Sequence, residues 1–341
     1  MAQPLFRLLK SKHPNSEIHV LAPAWTRPLS ARMPEISGSI DMPIGHGKLL
    51  IGERYKLGRS LRDKFDQAIV LPNSLKSALI PVFAKIPLRT GWRGEMRFAL
   101  LNDIRLLNKS KYPLMVERFL ALALPVGAEL PSPLPRPKLT IDQHRLPELT
   151  NKMGLSRDKP VLALCPGAEF GAAKRWPEQH YANVAKQKIS QGWQVWVMGS
   201  AKDREVGENI RQHLGEEYGS DCVNLAGSTE LAEAIDILSM ADAVISNDSG
   251  LMHIAAALDK PLVAVYGSTS PGFTPPLSEA VSIESIAVEC GPCFKRECPL
   301  EHLECLTNLS PQQVLQGLDK ALAIAQGRAR TIDVQELNSR V

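Results

Sequence analysis

Three segments carry residue types at spacings that suit a phosphorylated ligand. The first is Cys165-Pro166-Gly167-Ala168-Glu169-Phe170-Gly171-Ala172-Ala173-Lys174-Arg175-Trp176-Pro177, where an apolar run ends and a helical pattern starts. Gly167 and Gly171 let backbone come close to a ligand. A helix N-terminus offers free N–H groups and the positive end of a dipole. Lys174 and Arg175 add a mobile and a planar cation at the same place. The plain alternative is a solvated loop with two surface bases. The second segment, Ser246-Asn247-Asp248-Ser249-Gly250-Leu251-Met252-His253, has the same form. Asp248 or Ser249 suits an N-cap, and His253 suits a helix core. With Gly250 in the first turn, the group also suits an anion nest. Two such loops at the carboxyl ends of strands point to a diphosphate, since ligands of open α/β sheets sit there. The third loop, Met198-Gly199-Ser200-Ala201-Lys202-Asp203, ends in an acid that suits either a ribose hydroxyl or a helix cap.

Two further groups stand out. Lys76 follows Pro72-Asn73-Ser74, and Arg89, Arg93 and Arg97 surround Gly91-Trp92-Arg93-Gly94. Guanidinium groups beside glycine and tryptophan suit an acidic or phosphorylated sugar. The bases Lys56, Arg59, Arg62 and Lys64 read as a solvated helix face. Of six cysteines, Cys165 and Cys222 stand alone, while Cys290, Cys293, Cys298 and Cys305 crowd together with His302 among them. The first pair has metal-ligand spacing, so a structural zinc is one reading and reduced packing thiols are another.

These residues need strands and helices to position them. A helix over Leu5, Phe6, Leu8 and Leu9 comes first, then strands at Ile18–Ala22 and Gln67–Leu71. Helices are expected at Lys76–Phe83 and Leu114–Leu124, with a short strand before Arg89, while Ala99–Leu107 is ambiguous. The prolines at 131, 133, 135 and 137 mark a linker. After it the alternation is regular: strands at Val161–Leu164, Gln194–Met198, Val223–Leu225, Ala243–Ser246 and Leu262–Tyr266. Helices at Pro177–Gln191, Arg204–Leu214, Leu231–Met240 and Gly250–Leu258 separate them. Short apolar strands alternating with helices predict an α/β protein with parallel sheets covered on both faces. Two doubly wound domains facing across a cleft are expected: residues 1–145, residues 146–325, and a polar tail over 326–341.

With 341 residues, 44% hydrophobic and 22% charged, disorder is excluded as the main state. No apolar stretch is long enough to span a bilayer, and the first residues lack the pattern of a secretory signal. A cytoplasmic protein, peripheral on the inner face of the inner membrane, is the expected setting. A net charge of +4 is too small for a dedicated nucleic-acid binder.

The stretches HVLAPAWTRPL, LPNSLKSAL, RTGWRGEMR, CPGAEFGAAKRWP, NDSGLMHIAAAL and YGSTSPGFTPP together resemble the ADP-heptose:lipopolysaccharide heptosyltransferases of type II, in glycosyltransferase family 9. The resemblance reaches about position 325. It implies the GT-B fold, with two Rossmann-like domains. The C-terminal domain would hold ADP-heptose and the N-terminal one the nascent lipid A–Kdo–heptose core of lipopolysaccharide. The reaction is inverting transfer of L-glycero-D-manno-heptose to heptose I. Carried over by position, Lys174 is similar to the cation on the diphosphate. Gly167, Asp248, Ser249, Gly250 and His253 surround the phosphates and the heptose, Asp203 the ribose, and Thr229 the adenine. Lys76, Arg93 and Arg97 resemble acceptor-side bases. A lysine and a helix N-terminus stabilise a leaving diphosphate, so no cofactor is required.

The family opens with a strand and an S-W-x-G-D loop whose Asp is the proposed general base. Met1-Ala2-Gln3-Pro4-Leu5 matches the family only from just after that loop, so the N-terminal domain is expected to lack its first strand. The expected base therefore lies upstream of Met1, within about 10–20 residues that include a strand of typical length. The rival readings are a truncated, non-catalytic nucleotide-sugar-binding protein and a related GT-B heptosyltransferase with another acceptor.

Overall fold

The computed structural model describes residues 1–338, with side chains to position 328. It divides into two compact units. One comprises Met1–Arg136 with Gly272–Thr274, the other Pro137–Pro271 with Pro275 onward.

The first unit has two parallel sheets. In one, β1 (His19–Ala22) pairs with β2 (Gly38–Asp41). In the other, β4 (Leu88–Trp92) lies between β3 (Gln67–Val70) and β5 (Asp103–Arg105). Among the described residues no ladder joins the two sheets. They share a core all the same, because Leu21, Ile40 and Ala68 pack on the cluster of Leu61, Ile80, Ala84 and Ile86. The helix Leu75–Phe83 starts immediately beyond the carboxyl end of β3, which places Lys76 in its first turn. Arg93 follows β4 directly.

The second unit is a six-stranded parallel sheet in the order β11-β10-β9-β6-β7-β8. Its strands are β6 (Val161–Cys165), β7 (Gln194–Val197), β8 (Cys222–Asn224), β9 (Ala243–Asn247), β10 (Leu262–Tyr266) and β11 (Val281–Ser285). Every residue of β6, β7, β9 and β10 is buried. That is the physical meaning of their uninterrupted apolar runs: helices cover both faces, so neither face needs polar residues. Trp176, Tyr181, Val184 and Ile189 face this sheet from the helix side, with Val314, Leu315 and Leu318 from the last helix. Cys222 belongs to the same core, Cys165 is fully buried at the end of β6, and burial pushes each thiol up to about 12, so both act as packing groups.

Three departures from the sequence reading are informative. β2 and β11 carry no apolar run. Both are edge strands with half-exposed or exposed side chains, and edge positions do not demand one. The ambiguous stretch Ala99–Leu107 contains the short edge strand β5. The last helix runs Pro311–Asn338, so helical backbone continues into the segment read as a tail, whose residues 339–341 lie outside the described part.

Candidate functional site

The chain leaves β6 for β7 and β8 on one side, then returns to place β9 on the other side of β6. The carboxyl ends of β6 and β9 therefore form the point where strand order reverses, the usual ligand position in open parallel sheets. Both phosphate-type loops are there. The β6 loop carries Gly167 and a short 3-10 turn, Ala172–Lys174. The β9 loop carries Asp248 and Ser249 into the helix Gly250–Ala257.

The two loops are joined by an ion pair. Lys174 Nζ donates to Asp248 Oδ2 at 2.6 Å, with side chains 13% and 6% exposed. Thr269 Oγ1, just beyond β10, donates to the same carboxylate oxygen at 2.7 Å. Lys174 Nζ also lies 5.0 Å from the centre of the Phe170 ring. Beneath this pair Asn247 is fully buried and clamps the loops together. Its Oδ1 accepts from the Trp176 N–H at 3.2 Å and from the Tyr181 hydroxyl at 2.9 Å. Its Nδ2 donates to the Pro166 carbonyl at 2.6 Å.

The helix beginning at Gly250 has Ser249 at its N-cap, but no side chain caps its free N–H groups. The space where a side chain on Gly250 would stand is open. An uncapped N-terminus beside a lysine is an anion-binding arrangement. His253 lies one turn along the helix, and burial pushes its imidazole down to about 4. It is therefore neutral near pH 7. Its folded pKa is below the ordinary 6.5, so the stability it contributes is complete above about pH 6.5 and is lost as the pH falls toward about 4. His253→Gln should flatten the unfolding midpoint across that window, and a midpoint profile unchanged by the substitution would contradict this.

Asp203 ends the 3-10 turn after β7 and folds back on its own loop. Its Oδ2 accepts from the Ser200 N–H at 2.9 Å and the Ser200 hydroxyl at 2.7 Å. Its Oδ1 is 4.0 Å from Arg175 Nη2. A methyl group on Gly167 would stand 2.6 Å from the Asp203 carboxylate. Gly167→Ala should therefore displace Asp203 and destabilise the second unit by about 1–3 kcal/mol, the range for overpacking. A thermal melt checks it, and an unchanged midpoint would show that the carboxylate yields freely. Thr229 lies beyond β8, immediately before the helix Leu231–Ser239, on the far side of the β7 loop from Lys174.

In the first unit, Lys76 and Arg93 keep contact with solvent, whereas Arg97 is 1% exposed. Arg97 Nη1 donates to the Pro72 carbonyl at 2.7 Å, and Nη2 to the Trp92 carbonyl at 2.5 Å and to Asn73 Oδ1 at 3.3 Å. Its guanidinium thus ties the loop after β3 to the end of β4. Gly94 lies against the same loop, where a methyl group would meet the Asn73 carbonyl at 2.1 Å.

Sequence reasoning passed over Asn247, Thr269 and Phe170 as working residues. Asn247 had one signal, a polar side chain closing an apolar strand.

The residues 54–304 match the family model for glycosyltransferase family 9 (heptosyltransferase). The chain belongs to that family and is a glycosyltransferase of the heptosyltransferase class. It is 50% identical over 329 residues to lipopolysaccharide heptosyltransferase 2 of Salmonella typhimurium, covering 95% of this chain and 94% of that protein. Lipooligosaccharide heptosyltransferase 2 of Haemophilus influenzae is 49% identical, with 95% of each chain covered. Among solved structures, the Escherichia coli ADP-heptose lipopolysaccharide heptosyltransferase II superposes with a TM-score of 0.85 at 47% identity, over 95% of both chains. The α/β architecture with parallel sheets is thus that of the GT-B heptosyltransferases.

Proposed function

We infer that this protein moves heptose from ADP-heptose to heptose I of the lipopolysaccharide inner core, with inversion at the anomeric carbon. The observation that carries the reading is the Lys174–Asp248 pair beside the uncapped helix N-terminus at Gly250. As the bond from the anomeric carbon to the diphosphate oxygen lengthens, negative charge grows on the departing ADP. Lys174 and the free N–H groups at Gly250 oppose that charge without needing to reorganise. Asp248 holds Lys174 in place, and Ser249 and the neutral His253 supply hydrogen-bonding groups around the phosphates and the sugar. Gly167 makes room for the Asp203 carboxylate beside the donor, Asp203 meets the ribose, and Thr229 lies near the adenine.

On the acceptor side, Lys76 and Arg93 meet the phosphorylated core. Arg97 acts from behind the loop, as a positioning residue. Among the described residues no helix is long and apolar enough to cross a membrane. Work at the cytoplasmic face of the inner membrane, on a lipid-linked acceptor, suits the reading. Assaying ADP release against lipid A–Kdo and lipid A–Kdo–heptose separates the acceptors. Release with the heptose-bearing acceptor alone is expected. Release with lipid A–Kdo alone would move the protein to another step, and release with neither would sink the reading.

A further inference from the structure

The net charge of +4 sits in one short stretch of the chain. Residues 48–64 hold the bases Lys48, Arg54, Lys56, Arg59, Arg62 and Lys64 against Glu53 and Asp63, so the charges elsewhere balance. The same stretch opens on apolar side chains in water. Leu49, Leu50, Ile51 and Tyr55 are 47%, 49%, 54% and 44% exposed.

The fold holds this turn in place at some strain. Leu50 adopts left-handed backbone, φ 40° and ψ 64°, which a bulky side chain rarely takes, and its exposure shows that little burial is gained in return. The Arg54 side chain is buried behind the turn. Its Nε donates to the Leu49 carbonyl at 2.6 Å, Nη2 to the Lys48 carbonyl at 3.0 Å and Nη1 to the Lys76 carbonyl at 3.1 Å. One guanidinium thus fixes the apolar turn and ties it to the first turn of the helix Leu75–Phe83, where the acceptor-side Lys76 stands. The helix that follows, Ile51–Ser60, packs inward through Arg54 and Gly58, and a methyl group on Gly58 would stand 2.5 Å from Phe83 Cβ. Ile51, Tyr55 and Arg59 recur at every fourth position on its exposed side, with the Arg59 guanidinium 5.9 Å from the centre of the Tyr55 ring. Glu53, the one acid of this helix, is paired with Lys56 at 3.1 Å.

We propose that the turn at 48–51, with the exposed face of the helix Ile51–Ser60, is a docking surface for an anionic phospholipid bilayer. An apolar tip flanked by bases is complementary to such a surface. Leu49, Leu50 and Ile51 enter the boundary between headgroups and acyl chains, and Tyr55 lies at headgroup level. Lys48, Lys56 and Arg59 meet the lipid phosphates. The inference deepens the proposed function and rests on its lipid-linked acceptor for its purpose: docking brings the Lys76 helix to the plane where the acceptor's sugars leave the membrane.

The test is cosedimentation of the full chain with vesicles that contain neither donor nor acceptor. Binding is expected to phosphatidylcholine vesicles that carry phosphatidylglycerol, with little binding to phosphatidylcholine alone and a loss as salt rises. Lys48→Gln with Arg59→Gln should weaken it about 25-fold, since each base near an anionic surface is worth about fivefold. Leu49→Ser with Ile51→Ser should weaken it about 10-fold or more. Leu50→Gly relaxes the backbone, so it should weaken binding without lowering the melting temperature. All these variants should keep kcat/KM on a deacylated, soluble acceptor and lose it on acceptor embedded in the anionic vesicles. Because the lipid preference is read on the unaltered chain, misfolding of a variant does not decide the matter. Equal affinity for both kinds of vesicle, or for neither, would overturn the proposal. So would full binding by the variants, or a dimer in sedimentation velocity that Leu49→Ser with Ile51→Ser dissociates. Heptose transfer without vesicle binding counts against this surface alone, whereas vesicle binding without transfer counts against the proposed function and leaves the surface standing.

Discussion

Lys174→Ala should lower kcat/KM for the ADP-linked donor roughly 10- to 150-fold, or about 1.5–3 kcal/mol, the worth of a charge-assisted hydrogen bond. The cation is mostly buried, and its partner Asp248 is more so. Removing Lys174 therefore has two effects. The diphosphate loses a counter-charge, and Asp248 is left as a buried carboxylate that keeps the Thr269 hydroxyl at 2.7 Å. The second effect lowers stability, because an orphaned buried charge is costly. Lys174→Ala combined with Asp248→Asn separates the two. The double variant should regain its melting temperature, while ADP affinity by calorimetry and kcat/KM stay low. Recovery of both with the double variant would mean that Lys174 acts on the fold alone.

The second large effect is expected at Asn247. Its side chain satisfies the Trp176 N–H, the Tyr181 hydroxyl and the Pro166 carbonyl, all in the interior. Asn247→Ala leaves those groups without a partner. Each buried orphan costs about 1–3 kcal/mol. A total loss of about 3–5 kcal/mol is expected, large against a typical stability of about 5–15 kcal/mol. Urea unfolding followed by tryptophan fluorescence reads it, since Trp176 and Trp196 lie in the same unit. Both loops should also loosen, so ADP affinity should fall as well. A change under about 1 kcal/mol would show that the clamp is replaceable by water or by local repacking.

What the sequence made legible follows from what each residue is asked to do. Val161–Cys165 and Leu262–Tyr266 announce buried strands because their neighbours on both faces are apolar. The Gly167 and Gly250 loops announce themselves because strand, glycine and helix start occur in immediate succession. Long-range partnership was not legible. Lys174 and Asp248 are 74 positions apart, and no local pattern states that the first meets the second. Arg97 reads as an exposed base beside Gly94. Only the fold brings the carbonyls of Pro72 and Trp92 around its guanidinium and turns it into a buried tie. Asp203 shows a further limit: an acid after a strand suits a ribose or a cap equally, and here its Oδ2 caps Ser200. The edge strands β2 and β11 were missed for a simpler reason, since half-exposed strands carry mixed sequences.

The central claim is heptose transfer to the inner core by this site. Its most direct measurement is the product itself. The protein expressed from its own gene would be incubated with ADP-heptose and lipid A–Kdo–heptose, then the glycolipid analysed by mass spectrometry and NMR. The account predicts one added heptose per acceptor, linked to heptose I with the anomeric configuration opposite to that of the donor, and an equal amount of ADP. Unchanged acceptor, or a heptose added with the donor's configuration retained, would contradict it.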